Sequence, residues 1–241
     1  MKIIPVIDVL NGVVVHAVRG NRKEYQPLKS VLTSSVDPVE VAFAFRSQGF
    51  SPLYIADLDA ILGKTPNFDL YSSISRMGFS LMVDAGVSDV QTVKKLQKCG
   101  VSKIIIGTET LQSTDFVKGA LQQVGASQII VSLDIKDGKV LTQPNFGLTD
   151  VFELFEVFRG MGVSEFILLD LSRVGSDEGV NVDLLKEALA VLGEGVYVGG
   201  GVRGVDDLLE LKRLGVLGVL LASALHSGRV GVKDLVRVGL F

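Results

Sequence analysis

Cysteine, histidine and tryptophan are almost missing from this chain. Of its 241 residues one is cysteine (Cys99), two are histidine and none is tryptophan. A lone thiol closes no internal disulfide, and one cysteine with two histidines cannot assemble a His/Cys metal site, so no metal is expected. Long apolar runs are lacking too. The stretch from Val216 to Leu225 is broken by Gly218 and Ser223 and falls short of the ~20 residues that cross a bilayer. Asp8 interrupts the amino-terminal apolar run where a secretory signal would need its hydrophobic centre. Neither charge predominates: 24 Lys and Arg against 27 Asp and Glu leave a net charge of −3, evenly scattered, without the basic face that nucleic-acid binding requires. Linkers rich in Pro, Gly or Ser are absent, and 47% of residues are hydrophobic, enough for one large core. These absences predict a single domain over residues 1–241, cytoplasmic, with neither a membrane nor a nucleic acid as partner. No sustained heptads mark the helices, so the sequence leaves the oligomeric state open.

What the chain does contain is a repeat of itself. Asp8-Val9-Leu10-Asn11-Gly12-Val13-Val14 returns as Asp134-Ile135-Lys136-Asp137-Gly138-Lys139-Val140. Ser51 to Leu58 pairs with Ser164 to Leu171, and Asn67-Phe68-Asp69-Leu70 with Asn181-Val182-Asp183-Leu184. Val83 to Val87 pairs with Val198 to Val202, with Gly100 and Gly215 following at the same spacing. Eight short apolar runs without alternation begin at Ile3, Leu53, Ser80, Lys103, Ile129, Phe166, Val196 and Gly218. Runs buried on both faces read as parallel strands. Between them lie amphipathic stretches, such as Val90, Val93 and Leu96 backed by Lys94, Lys95 and Lys98, that read as helices. Strands alternating with helices, in a chain duplicated by halves, predict an α/β fold: a single (β/α)₈ barrel made of half-barrels of about residues 1–124 and 125–241.

Such barrels place their chemistry at the carboxyl ends of the strands. Asp8 after strand 1 and Asp134 after strand 5 then face each other across the mouth, suited to general acid and base work on one small molecule. The competing reading is that each aspartate only fixes its Asn11-Gly12 or Asp137-Gly138 turn. Gly199-Gly200-Gly201-Val202-Arg203 after strand 7 and Ala222-Ser223-Ala224 after strand 8 occupy the usual phosphate position, where glycine lets a phosphate oxygen approach backbone N–H groups. Gly200, Gly201, Ala222 and Ser223 are therefore the candidate phosphate-binding residues. The equivalent loop after strand 3 reads Asp84-Ala85-Gly86-Val87-Ser88, and a carboxylate there would repel a second phosphate. Weaker candidates for substrate contact are His16, Arg19, Gly86, Thr108, Asp170 and Arg203. Asp57 and Asp170, ending strands 2 and 6, read as loop-fixing residues, His226 as a group near the phosphate or in solvent, and Cys99 as packing.

Ile4-Pro5-Val6-Ile7-Asp8 with Gly12 and Val13 to Val15, Asp57-Leu58-Asp59-Ala60, Ile105-Ile106-Gly107-Thr108 and the strand 7 and 8 loops together resemble the histidine-biosynthesis barrels. That family comprises the phosphoribosylformimino-aminoimidazole carboxamide ribotide isomerase and the cyclase subunit of imidazole glycerol phosphate synthase. Val13 to Gly20 resembles the isomerase branch. The resemblance implies a cofactor-free Amadori rearrangement of a phosphorylated aminoaldose. One aspartate protonates the ribose ring oxygen and the other removes the proton from the adjacent carbon; by motif match these are Asp8 and Asp134. Three departures stand out: Leu169 and Val174 replace a threonine and an aspartate of the family pattern, Asp84 to Ser88 replace its second phosphate loop, and Gln143 to Gly147 lack its Gly-Trp pair. They admit two other readings. One is a paralogue acting on a singly phosphorylated small molecule in cofactor biosynthesis, since chains resembling this one occur in organisms that use methanopterin-type one-carbon cofactors. The other is a non-catalytic barrel that binds a ligand or partner.

Overall fold

The computed structural model describes every residue from Met1 to Phe241 except Asn145. Eight parallel strands form the barrel: β1 (Lys2–Leu10), β2 (Pro52–Asp57), β3 (Ser80–Asp84), β4 (Lys103–Gly107), β5 (Ile129–Lys136), β6 (Phe166–Asp170), β7 (Val196–Gly199) and β8 (Gly218–Leu221). Each pairs with the next, and β8 closes the ring on β1 through Lys2↔Gly218 to Pro5↔Leu221. The helices that follow the strands are α1 (Pro38–Ser47), α2 (Phe68–Ser75), α3 (Val90–Lys98), α4 (Thr114–Val124), α5 (Val151–Gly160), α6 (Val182–Leu192), α7 (Val205–Leu214) and α8 (Val232–Arg237). None of the described helices is long and apolar enough to cross a membrane.

The repeated motifs mark the points where chain direction changes. Asn67 and Asn181 cap α2 and α6, each accepting a hydrogen bond from the N–H three residues on. Asp37 and Asp150 cap α1 and α5 in the same way, satisfying amide groups that have no partner inside the helix. Gly100 and Gly215 take left-handed conformations (φ 80° and 86°) after α3 and α7, as the spacing predicts.

Two apolar layers result from strands that bury both faces. Inside the barrel Ile4, Tyr54, Met82, Ile105, Ile130, Ile167, Tyr197 and Leu220 fill the lumen, one from each strand. Side chains on the other face, such as Ile7, Ile55, Val83 and Leu133, pack against the helices. The amino-terminal end is closed by Lys103, which donates to Glu165 (2.6 Å), and by Tyr197, whose hydroxyl donates to the same carboxylate (3.0 Å). The lumen is thus a packed core with room only at the carboxyl ends of the strands.

β1 and β5 run past the positions that the sequence suggests as their ends. Each folds back into a hairpin, β1 on Val13–His16 and β5 on Lys139–Val140, through two-residue turns with positive φ at Asn11-Gly12 and Asp137-Gly138. Asp8 and Asp134 therefore lie within strands, not after them, and the ladder on both sides holds their backbones.

Asp57 is a buried structural carboxylate that ties three separate backbone and side-chain groups together. It accepts from the N–H of Ala60 (3.0 Å), the N–H of Asn67 (3.2 Å) and the Tyr71 hydroxyl, and both Asp57 and Tyr71 are buried. Asp57→Ala is expected to cost about 3 kcal/mol by orphaning these donors, a fall in Tm of about 6–12 °C for a chain of this length. A melting curve displaced by less than about 2 °C would contradict that role.

Candidate active site

A cavity of about 290 Å³ opens at the carboxyl ends of the strands. Asp8, Asp134, Gly200, Gly201, Ala222 and Ser223, picked out by sequence, all line it. So do Asp84, read from the sequence as set against a second phosphate, and Tyr54, Arg22, Tyr25 and Glu109, to which the sequence assigned no role.

Asp8 and Asp134 approach from opposite sides of the ring. The Asp8 carboxyl has no hydrogen-bond partner among the described residues; it is Asp59, not Asp8, that accepts from the Gly12 N–H (3.3 Å). The turn-fixing reading of Asp8 is therefore not what the geometry shows. Asp134 accepts from Ser132 Oγ on Oδ1 (2.8 Å), and its backbone N–H donates to Thr108 Oγ1 (3.3 Å). Burial holds the Asp8 pKa up at about 7. Burial and then the neighbouring Asp84 charge take Asp134 to about 8. Asp84 reaches about 7 through burial, opposed by the Gly86 N–H that donates to it (3.1 Å). Carboxyls that titrate near neutrality are equipped to exchange protons at physiological pH.

Asp84 and Asp134 converge beside Gly107 of β4. A methyl group on that glycine would stand 3.1 Å from Asp134 Oδ2 and 3.4 Å from Asp84 Oδ2, so the missing side chain makes room for both. Neighbouring strands of an eight-stranded barrel are staggered around its axis, which sets Asp84 a step deeper than Asp8 and Asp134.

The segment between the β1 hairpin and α1 covers the mouth. On one side the Arg19 N–H donates to the Val174 carbonyl (2.8 Å). On the other, Arg22 pairs with Glu109 beyond β4 (2.6 Å), and Gln143 donates to the Glu109 carbonyl. Tyr25 is carried inward, where burial and the Asp8 charge raise its phenol to about 12.

At the β7 turn Gly200 and Gly201 have φ of 98° and 84°. A Cβ there would meet the carbonyl oxygens of Asp170 at 2.5 Å and Gly179 at 2.3 Å, so both positions require glycine. Ser223 begins the single helical turn Ser223–His226, and its hydroxyl lies 3.1 Å from His16 Nε2. The β7 turn, the turn after β8 and His16 thus meet at one end of the cavity.

The weaker candidates are placed differently. Thr108 is fully buried behind Asp134, and Gly86 supports Asp84 through its N–H; neither lines the cavity. Asp170 is occupied with the Ser172 N–H (3.1 Å) and Arg173 (3.3 Å), the loop-fixing alternative. Arg19 turns outward to Glu178 (2.6 Å). Arg203 clasps the buried Asp207 of α7 (2.6 Å), because an aspartate one helical turn away gives its guanidinium a nearer partner than the cavity does. His226 is buried against Phe45 with Nδ1 3.0 Å from Ser30 Oγ, and burial lowers its pKa to about 4, so it is neutral and inside, not solvated. Leu169 and Val174, at the departures from the family pattern, give the β6 side an apolar wall. The Gln143 to Gly147 segment includes Asn145, which lies outside the described residues.

The family model for histidine biosynthesis proteins matches residues 2–231. An uncharacterized protein of Methanocaldococcus jannaschii is 38% identical over 98% of both chains. A Synechocystis protein is 33% identical over 98% of this chain and 93% of its own, and one from Clostridium acetobutylicum 30% over 99% and 98%. Both of the latter are named isomerases of a phosphoribosyl imidazole-carboxamide compound. With the match running from β1 to the edge of α8 and a closed barrel carrying it, the chain belongs to the histidine biosynthesis protein family.

Proposed function

We propose that this barrel is an intramolecular aldose–ketose isomerase that carries out an Amadori rearrangement on a phosphorylated aminoaldose. The observation that carries the proposal is the pair of opposed carboxyls, Asp8 and Asp134, with pKa values of about 7 and 8 in one cavity. One of the two carboxyls, in its protonated form, donates to the ring oxygen and opens the sugar to a Schiff base. The other, ionised, removes the proton from the neighbouring carbon, and the resulting enolamine rearranges to the ketose. Ser132, donating to Asp134 Oδ1, leaves Oδ2 free to carry the transferred proton. The isomerase names of relatives at about 30% identity support the same chemistry.

Phosphate is assigned to the turn at Gly200 and Gly201 with Ala222 and Ser223. The matching turn after β3 carries Asp84, buried in the cavity wall, and this favours a substrate with a single phosphate over a bisphosphate. Incubation with N-substituted phosphoribosylamines, including the ribotide handled by the named relatives, followed by detection of the ketose, tests the reaction. No conversion of any member of the series would sink it. Gly201→Val should weaken competitive inhibition by inorganic phosphate at least about tenfold, since a Cβ would displace the turn and a lost charge-assisted hydrogen bond is worth that much. Unchanged inhibition would move the phosphate elsewhere.

A further inference from the structure

Five acids line the cavity, Asp8, Asp84, Glu109, Asp134 and Asp177, against two Lys or Arg residues, Arg22 and Lys136. Glu109 is engaged by Arg22 (2.6 Å) and Asp177 by Arg229 (2.6 Å). Lys136 stands one pleat nearer the rim than Asp134, two residues along the same strand. Asp8, Asp84 and Asp134 have no ion-pair partner among the described residues. Of these Asp84 is deepest and 7% exposed; its Oδ1 accepts from Gly86, while Oδ2 turns toward Asp134 beside Gly107.

Tyr54 of β2 provides an independent indication. It is 3% exposed and lines the cavity, yet its hydroxyl has no hydrogen-bond partner among the described residues. No sealed side-chain nitrogen or oxygen among those residues lacks a partner, so the phenol oxygen must reach cavity space. Burial raises its pKa well above the ordinary value, and the charges of Asp84, Asp134 and Asp8 raise it further, in keeping with a phenol that lines one cavity with all three acids. A carboxyl that a neighbouring cation would draw into its ionised, acceptor-only form, and a hydroxyl that is both donor and acceptor, held in a nearly dry wall, complement a group rich in N–H donors that brings positive charge. A phosphate there would add charge of the same sign at close range.

We propose that the floor of the cavity on its β3 side, walled by Asp84 and Tyr54 below Asp134, receives a protonated nitrogen of the substrate, an ammonium or amidinium. The substrate is then a singly phosphorylated amine whose phosphate lies at the β7 turn and whose cationic nitrogen lies at the floor, with the reacting carbons between Asp8 and Asp134. The assignment rests on phosphate binding at Gly200 and Gly201, and the apolar Leu169 and Val174 form the wall between the two ends.

Titration calorimetry of the full chain with three probe series tests it: ω-aminoalkyl monophosphates with two to six methylenes, alkyl monophosphates of the same lengths, and alkanediyl bisphosphates. The best amino compound should bind at least about tenfold more tightly than its alkyl counterpart, about 1.4 kcal/mol. Asp84→Asn should reduce that preference to below about threefold without weakening the alkyl monophosphate, and Tyr54→Phe, which keeps the ring, should reduce it in the same direction. Circular dichroism identifies any variant that has not folded. Equal affinity of amino and alkyl compounds, or tightest binding by a bisphosphate, overturns the proposal. Alkane-ω-diamines separate it from the phosphate assignment: Asp84-dependent diamine binding with no binding of any phosphate would uphold the amine site and sink the phosphate site. Silence from both classes would sink both.

Discussion

Replacing Asp8 or Asp134 with asparagine should lower kcat/KM by about 10²–10⁴, the range for loss of a general acid or base, while the dissociation constant for inorganic phosphate should stay within about threefold. Asparagine keeps the shape of the side chain, and in Asp134→Asn the contact with Ser132 survives; what is lost is the exchangeable proton. The two groups act on one proton-transfer sequence, so the double variant should be little worse than the poorer single one. Both carboxyls are pushed up, to about 7 and about 8. The rate should therefore rise with pH as the base ionises, fall as the acid loses its proton, and peak between these limbs. The two carboxyls and Asp84 titrate as an interacting set, so the limbs belong to the set and not to single residues. Steady-state kinetics from pH 5 to pH 9 checks this. A profile that keeps both limbs after both replacements would take the chemistry away from this pair.

The second large effect is on stability and runs against the usual direction for carboxylates. Folding raises the pKa of Asp8, Asp84 and Asp134 above the ordinary 3.8. Between that value and about 7 to 8 the folded protein holds protons that the unfolded chain releases, and stability falls as pH rises through this window. Below it both states are protonated and the groups contribute nothing. Asp84→Asn removes one such group and retains an acceptor for the Gly86 N–H. It should raise stability at pH 9 by about 2 kcal/mol relative to the parent, roughly 4–8 °C in Tm, and leave it nearly unchanged at pH 4. His226, whose lowered pKa works in the opposite sense, is common to both proteins and cancels in the difference. Melting curves at pH 4, 6.5 and 9 decide it; a pH-independent offset between the two proteins would show that Asp84 is not held protonated by its surroundings. The same acid strengthens substrate binding in the amine assignment, so the site stores instability in the empty protein that a cationic ligand relieves.

How legible the molecule was depends on which interactions are local. The duplicated segments identified the half-repeats because Asn67 and Asn181, or Gly100 and Gly215, do their work within a few residues of themselves, as caps and helix ends. Continuous apolar runs marked strands buried on both faces, and alternation with helices left a closed parallel barrel as the natural arrangement. Asp8, Asp134 and the glycines at 200 and 201 were legible for the same reason, since a strand end or a positive-φ turn dictates residue type locally. The hairpins that carry both aspartates past their expected strand ends are also encoded, in the Asn11-Gly12 and Asp137-Gly138 pairs, which the sequence analysis reads only as turns after the strands.

By itself, then, the sequence determined the barrel, its internal symmetry, the opposed carboxyls and the glycine turn, all of which follow from periodicity and short-range backbone constraint. The tertiary structure alone decided which side chains share the cavity. Arg22 meets Glu109 across 87 positions, Tyr54 lines one cavity with the acids of three other strands, and Asp84 approaches Asp134 in the space left by Gly107. Arg203, by contrast, is drawn away to Asp207. The reason is physical: charge, desolvation and the choice among partners depend on distances set by closure of the ring, and no local pattern in the chain carries those distances.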